Sequence, residues 1–422
     1  MPDTQQKITT ISAALPLAGK SMKNRIAKAA MEESLCDENH GPSNALVNLY
    51  RHWSAGDAGM LITGNVMIDR TALTGPANVI VEDERNLAGL KAWAEAGKSG
   101  GALMIAQISH PGRQVFAAVS QEPVAPSAIP VEIKGAKGLF ATPRALNPTE
   151  IKGIIDRFAT TAAVLEKAGF DGVEIHGAHG YLISQFLSPL VNQRTDDWGG
   201  SLENRARLLM ESVKAVKAAT SDSFIVSVKL NSADFQRGGF SAEDARGVVE
   251  MLNAESIDFL EISGGSYESP AMMGRPADAP VKESTRQREA YFLDFAAELR
   301  GIAKMPLMVT GGFRSRAAMD EALASGALDM VGMGKPFAEN PTVAADLISG
   351  KSDRTELKKV RMPIPALTGL AEMAWAKTQI HRIAAGKRPN APYGAFINFI
   401  LNQRATKKAA ARYHSWLAAH TQ

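Results

Sequence analysis

The chain has 422 residues, 45% hydrophobic and 22% charged, a globular composition large enough for one barrel with an appendage or two ordinary domains. Its longest apolar run, Tyr393–Leu401, is too short for a bilayer span, and MPDTQQKITT offers neither a basic n-region nor an apolar h-region, so a cytoplasmic protein without export signal or membrane partner is expected. Cys36 stands alone, which excludes an internal disulfide and a cysteine-ligated iron–sulfur cluster. The formal charge of +3 hides an asymmetry: from Lys351 onward 13 Lys/Arg face 3 Asp/Glu, leaving about −7 for residues 1–350. Those basic residues are spread through helical sequence without aromatic interleaving. They read as a solvated face or a homo-oligomer contact, not as a nucleic-acid surface.

In chain order, residues 1–22 read as a lead-in whose small hairpin closes one end of a barrel. Eight strands are predicted, at Asn24–Met31, Gly59–Asn65, Ala102–Ile108, Gly172–His176, Phe224–Asn231, Asp258–Ser263, Pro306–Thr310 and Asp329–Met333. Helical periodicity falls between them at Asn86–Lys98, Pro148–Ala168, Glu203–Ala219, Ala242–Ala254, Gln287–Ile302, Arg316–Ala324 and Pro341–Ile348, with a less distinct helix near Ser43–Ala58. Strand–helix alternation on this scale predicts an α/β fold of the closed (β/α)8 TIM-barrel type over residues 1–350, with a doubly wound open sheet as the rival. Two long loops, Gln114–Asn147 and Ser266–Arg286, break the rhythm after the third and sixth strands, where lids and substrate loops belong. Residues 351–422 form a basic helical C-terminal extension, with helices at Glu372–Ala385 and Arg404–Ala419 joined by GKRPNAPYG.

The chemistry concentrates where these strands end. The fourth, an apolar Val173-Glu174-Ile175 run, finishes in His176, His179 and Tyr181 before a polar loop that reaches Ser201, a candidate helix cap with Glu203 in the first turn. Ala29, Ala30, Met31 and Glu32 end the first strand, Asn65 the second, Lys229 and Asn231 the fifth, and Glu261 and Ser263 the sixth, while Gln107 lies in the third. Gly311 and Gly312 follow the seventh strand, and Gly334 and Lys335 follow the eighth. Bare amides and a cation at those two ends make a barrel phosphate site. The set suits a flat, polar, hydrogen-bonding ligand. A metal at His176 and His179 lacks a third ligand. Taken singly, the two histidines could merely order a loop, Gln107 could be a satisfied strand amide, Lys229 a snorkelling lysine and Asn65 a turn anchor.

The stretch HGAHGYLISQFLSPLVNQRTDDWGGSLENRARLL resembles the signature of the Old Yellow Enzyme family of FMN-dependent ene reductases. The likeness runs over residues 20–345 through KNRIAKAAM, GMLITGN, AQISHPGRQ, VKLNSADF, VTGGF and VGMGKPF. It is nearest to stand-alone members, without the iron–sulfur extension. The resemblance implies FMN, reduced by NADH or NADPH, and a small enone-like substrate. It implies that His176 and His179 bind the substrate carbonyl and that Tyr181 donates a proton to Cα. Ala29, Ala30, Met31, Asn65 and Gln107 would contact the isoalloxazine, with Lys229 near its N1–C2=O edge. Gly311, Gly312, Gly334 and Lys335 would hold the phosphate.

Those roles agree with general chemistry: neutral donors aimed at a carbonyl stabilise the charge that builds on it, and a tyrosine is a protonated acid at neutral pH. The chain departs from the family pattern in places. Lys229 and Lys335 stand where Arg is common, keeping charge but not the planar fork. Glu32 stands where a small donor is usual, so it is protonated, turned away or in a shifted register. Cys36 lies past the redox-tuning position and reads as structural. Rival functions are an oxidase or a quinone or nitro-compound reductase on the same flavin and, from another class, a phosphate-binding lyase or aldolase with Lys229 as Schiff-base former.

Overall fold

The structure, a computed structural model, describes residues 9–132, 138–264, 293–360, 368–390 and 394–420. Eight strands carry the fold: β1 (Ile26–Lys28), β2 (Met60–Ile62), β3 (Leu103–Ser109), β4 (Gly172–Gly177), β5 (Ile225–Asn231), β6 (Phe259–Ser263), β7 (Leu307–Thr310) and β8 (Met330–Met333). Each pairs in parallel with the next, and β8 returns to β1 with Gly332 opposite Ala27. The ring is closed, which removes the open-sheet rival. The expected loop Ser266–Arg286 lies outside the described residues, and the expected helix Gln287–Ile302 is described only from residue 293, with 293–300 helical.

Alternation along the strands builds two cores. Outward residues such as Ile26, Leu61, Met104, Val173, Val226, Leu260, Val309 and Val331 pack beneath the helices. Inward residues Ala27, Met60, Ile62, Leu103, Ile105, Ile225, Phe259, Met308 and Met330 fill the lower barrel. The hairpin Leu15–Leu17/Lys20–Met22 plugs that end with Leu15, Leu17 and Met22. The floor is therefore dry and apolar, and polar inward positions occur only higher up.

The outer layer starts where capping residues dictate. Helix α1 (Asn44–Ser54) is capped by Ser43, α2 spans Leu87–Lys98, and α3 (Pro148–Lys167) opens on a reciprocal Asn147/Glu150 capping box. A one-and-a-half-turn α4 (Leu182–Leu187) follows β4, and Ser201 caps α5 (Leu202–Ala219) as its sequence suggests. Strand β2 is shorter than expected because the chain breaks at Thr63–Asn65 and resumes as Val66–Met67, paired with Ile108–Ser109. Gly64 explains the break: a Cβ there would lie 2.3 Å from both Glu33 Oε2 and the Met31 carbonyl oxygen. Strand β1 is also short, its ladder ending at Lys28 as the following residues turn toward Gly64.

Beyond α6 (Ala242–Glu255), α7 (Arg316–Ala324), α8 (Lys335–Glu339) and α9 (Val343–Ile348), the extension contributes α10 (Thr368–Ala384) and α11 (Ala395–His420). Both begin earlier than expected; the run Ala395–Leu401 is the first part of α11, with no breaker between it and Arg404. They dock on the barrel: Asn48 Nδ2 donates to the Ala384 carbonyl at 3.0 Å, and Tyr413 OH to the Arg70 carbonyl at 2.8 Å. No described helix is long and apolar enough to cross a membrane.

Candidate active site

The strand alternation that fills the floor with hydrocarbon puts a polar layer above it. Gln107 from β3, Glu174 and His176 from β4, Lys229 and Asn231 from β5, Glu261 and Ser263 from β6 and Thr310 from β7 sit on the inward phase of their strands. The seven from Gln107 through Ser263 are all buried. These are the C-terminal halves of the strands, the end at which barrel enzymes place their chemistry.

His176, His179 and Tyr181 converge. The His176 ring meets His179 at 5.2 Å between centroids and Tyr181 at 4.9 Å, both edge-to-face. The Ala178 amide donates to His176 Nδ1 at 3.2 Å, which assigns the imidazole proton to Nε2 and makes that atom a donor. His179 has a left-handed backbone, φ 61°; Asn231 Oδ1 accepts its amide at 3.2 Å, and its Nε2 meets Ser263 Oγ at 2.7 Å. Burial, followed by the charges around it, holds His176 well below the usual imidazole range and His179 down at about 3. Both rings are neutral at physiological pH. The two find no third acidic, cysteine or histidine ligand for a metal among the described residues. Tyr181 is nearly buried and precedes α4 in extended backbone.

Behind this group lies a charged set whose two glutamates sequence reasoning left without a role. Lys229 Nζ meets Glu261 Oε1 at 2.5 Å, with the two side chains 4% and 0% exposed. Gln107 Nε2 donates to Glu174 Oε1 at 2.7 Å. Burial works against the Lys229 charge, but Glu261 and Glu174 outweigh it and raise the ammonium above its ordinary range. A Schiff-base lysine needs the neutral amine, so this pairing argues against the aldolase reading. Burial and the adjacent Glu261 push Glu174 well above the carboxylate range, while Glu261, which burial also tends to raise, is held low by Lys229. A signal for Glu174 was present: it is the lone charge in an apolar strand, two residues before His176 and hence on the same face.

Of the residues expected to line a flat ligand, those at the ends of β1, β2 and β8 meet one another. Just past the end of β1, Ala29 donates to the Met333 carbonyl at 3.0 Å, and Met31 approaches both Gly64 and Gly334. Asn65 Nδ2 donates to Thr74 Oγ1 at 3.3 Å, leaving its buried Oδ1 without a partner among the described residues. Gly311 and Gly312 have φ of 125° and 80°, and a Cβ on Gly311 would meet open space, so conformation and not crowding requires glycine there. Lys335 is the exception, since its ammonium pairs with Glu372 of α10 at 2.7 Å. Glu32 accepts from Asn78 Nδ2 at 3.0 Å, which fits a carboxylate turned toward that loop. Burial raises the Cys36 thiol to about 12, as suits a structural cysteine.

The orphaned Asn65 oxygen, the left-handed glycines after β7 and the buried polar layer together fit a flat heteroaromatic cofactor carrying a phosphate. A closed parallel barrel with that layer at its upper end is an enzyme architecture with its ligand site at the strands' C-terminal ends. Residues 15–354 match the NADH:flavin oxidoreductase / NADH oxidase family, and the chain belongs to it. It is 39% identical over 350 residues to the NADH-dependent flavin oxidoreductase nadA of Aspergillus parasiticus, covering 79% of this chain and 77% of that protein. Among solved structures it is similar to the old yellow enzyme homologue from Zymomonas mobilis, with TM-score 0.70, 26% identity and coverage of 85% and 98%. It is also similar to a 2-naphthoyl-CoA reductase in complex with 2-naphthoyl-CoA, with TM-score 0.74 and 28% identity over 81% of this chain, but it spans only 52% of that longer chain. The Old Yellow Enzyme resemblance, the TIM barrel and the FMN and NAD(P)H requirement are thereby established, as is the assignment to the oxidoreductases.

Proposed function

We propose that this enzyme uses NADH or NADPH to reduce the C=C bond of an α,β-unsaturated carbonyl compound. Ala29, Ala30, Met31, Asn65, Gln107 and Lys229 would line the ring of FMN at the upper end of the barrel, where the bound cofactor would provide hydride chemistry. Gly311, Gly312, Gly334 and Lys335 would hold the phosphate; Lys335 would then exchange Glu372 for it. His176 presents Nε2–H to the substrate carbonyl oxygen, and His179 stands beside it as the second imidazole. Neutral donors are well matched to that oxygen, because they stabilise the charge that builds on it without introducing a fixed cation. Tyr181, edge-on to His176, delivers a proton to Cα. The observation that carries this reading is the fixed tautomer of His176, whose only proton faces away from its own backbone.

The same flavin can pass electrons to oxygen, a quinone or a nitro compound, and the family description includes NADH oxidases. Stopped-flow reoxidation of the reduced enzyme separates the two readings. Cyclohexenone under argon should reoxidise it faster than air alone does, and Tyr181→Phe should slow that step at least tenfold while leaving reduction by nicotinamide near normal. Equal losses in both half-reactions would remove Tyr181 from the proton-donor role, and faster reoxidation by air would favour the oxidase.

A further inference from the structure

Lys229 and Glu261 face each other in register on neighbouring strands, and Glu174 reaches the same interior from β4. Each of the two carboxyls has one oxygen satisfied, Glu174 Oε1 by Gln107 and Glu261 Oε1 by Lys229. The second oxygen of each is buried and makes no hydrogen bond among the described residues. Two fully buried carboxylates with a lone pair apiece unmet, and a like charge alongside, are strongly unfavourable. One proton removes both deficits, because a protonated carboxyl can donate to its ionised neighbour. The partners decide where it resides. Glu261 holds an ammonium and keeps its charge, while Glu174 holds only a neutral amide and takes the proton. Both unmet oxygens belong to side chains on the inward phase of their strands, in the same buried layer.

We infer that Glu261 and Glu174 are positioning residues for Lys229: Glu261 fixes and neutralises the ammonium, and Glu174, held as the neutral acid, keeps Glu261 in place by donating to it. This rests on the placement of Lys229 beside the flavin proposed above. A free cation at that edge would favour the reduced, negatively charged flavin. A cation matched by a carboxylate at 2.5 Å presents almost no net charge. The layer beneath the ring is then neutral overall, and the cofactor's reduction potential is lower than an unpaired lysine would set.

Three variants of the FMN-loaded enzyme test this by spectroelectrochemical titration, with infrared spectra of the carboxyl region recorded alongside. Glu261→Gln should shift the flavin midpoint positive by about 30 mV or more, at least a tenfold gain in preference for the reduced form. Glu174→Gln, whose amide can donate as the protonated acid does, should leave the midpoint within a few millivolts of wild type. It should also abolish the protonated-carboxyl band that the wild type shows at pH 7. An unmoved or negative midpoint in Glu261→Gln, or a carboxyl band that survives in Glu174→Gln, overturns the inference. Should Glu261→Gln fail to fold, the Glu174→Gln pair of readouts decides alone, and a midpoint shift there of 30 mV or more is the overturning result. Lys229→Met separates this from the underlying placement: a midpoint and FMN affinity both unchanged would show that Lys229 is not at the flavin, whatever the infrared band does.

Discussion

Behind β1, Lys28 is wholly buried. Its ammonium donates to the Ile62 carbonyl at 2.5 Å and to Tyr50 OH at 3.3 Å, lies 3.8 Å from Glu33 Oε1, and sits 4.4 Å from the Trp53 ring centroid. Glu33 Oε1 also accepts from the Gly64 amide at 2.9 Å and from the Tyr50 hydroxyl. Burial lowers Lys28 from 10.5 to about 8, with Glu33 offsetting part of the effect. At about 1.36 kcal/mol per unit, holding this group at its folded protonation costs about 3 kcal/mol at pH 7, whereas neutralising it completely would cost about 5 kcal/mol. Glu33→Gln removes the counter-charge, yet ionisation can add no more than the remaining difference, about 1–2 kcal/mol, before Lys28 gives up its proton. Weaker bonds to Gly64 and Tyr50 add about 1–2 kcal/mol. The expected loss is therefore about 2–4 kcal/mol at pH 7, less than an unscreened buried charge would suggest.

Urea unfolding at pH 7 and pH 9 checks this. A lysine whose folded value is depressed penalises the fold at low pH, and the penalty is released as pH rises from the folded value toward 10.5. At pH 9 Lys28 is mostly neutral in both folded proteins, so the difference should shrink to the hydrogen-bond part. A loss below about 1 kcal/mol at pH 7, or one that grows at pH 9, would refute the reasoning. Because Glu33 ties the end of β1 to Gly64, beside Asn65, the variant should also release FMN more readily.

Gly311→Ala forces a φ of 125° on a residue with a Cβ, so FMN affinity should fall at least tenfold with an unchanged far-ultraviolet spectrum; normal affinity would take Gly311 out of the phosphate site. His176→Ala should retain FMN but weaken binding of a phenol ligand, measured by its charge-transfer absorbance, and an unchanged affinity counts against the carbonyl-binding role. His110 is pushed down to about 4, chiefly by burial, while its unfolded form titrates near 6.5. Stability should therefore be insensitive to this group above pH 6.5 and fall as pH drops to 4, by about 3 kcal/mol from His110. His110→Asn keeps an acceptor for the Gly112 amide, so its melting temperature should fall less over that window; an equal slope would refute the assignment.

The barrel was legible because its signals are local. Apolar runs such as Val173–Ile175 and Phe259–Ile262 bound their strands, and Ser43, Asn147, Ser201 and Ser241 cap their helices by bonds within a few residues. What stayed hidden depends on contacts between distant strands. Nothing near Lys229 in sequence announces Glu261, since their pairing arises from the register between β5 and β6. Nor does Gly64 reveal that Glu33 occupies the space where its side chain would be. Strand β2 was expected to run through to Asn65, and only the close approach of residues 31–33 to Gly64 shows why it breaks.

Both buried lysines show what the fold has to solve. A (β/α)8 barrel confines its chemistry to the upper end of a ring only eight strands around, so polar side chains there sit directly above hydrocarbon. Lys28, on the outward side, and Lys229, on the inward side, each meet that demand with a carboxylate from a neighbouring segment. Their surroundings differ in one respect. Lys28 has one acid within ion-pair range, Glu33 at 3.8 Å, and is depressed, because that charge and the more distant Glu174 and Glu261 do not offset its burial and the repulsion of Lys229. Lys229 has two, one of them at 2.5 Å, and is raised. The outer lysine is thus a stability liability that alkaline pH relieves, whereas the inner one holds its charge across the physiological range. At the flavin edge proposed for Lys229, a lysine–carboxylate pair of fixed ionisation keeps the potential steady, whereas a lysine that lost its proton near neutrality would make it drift with pH.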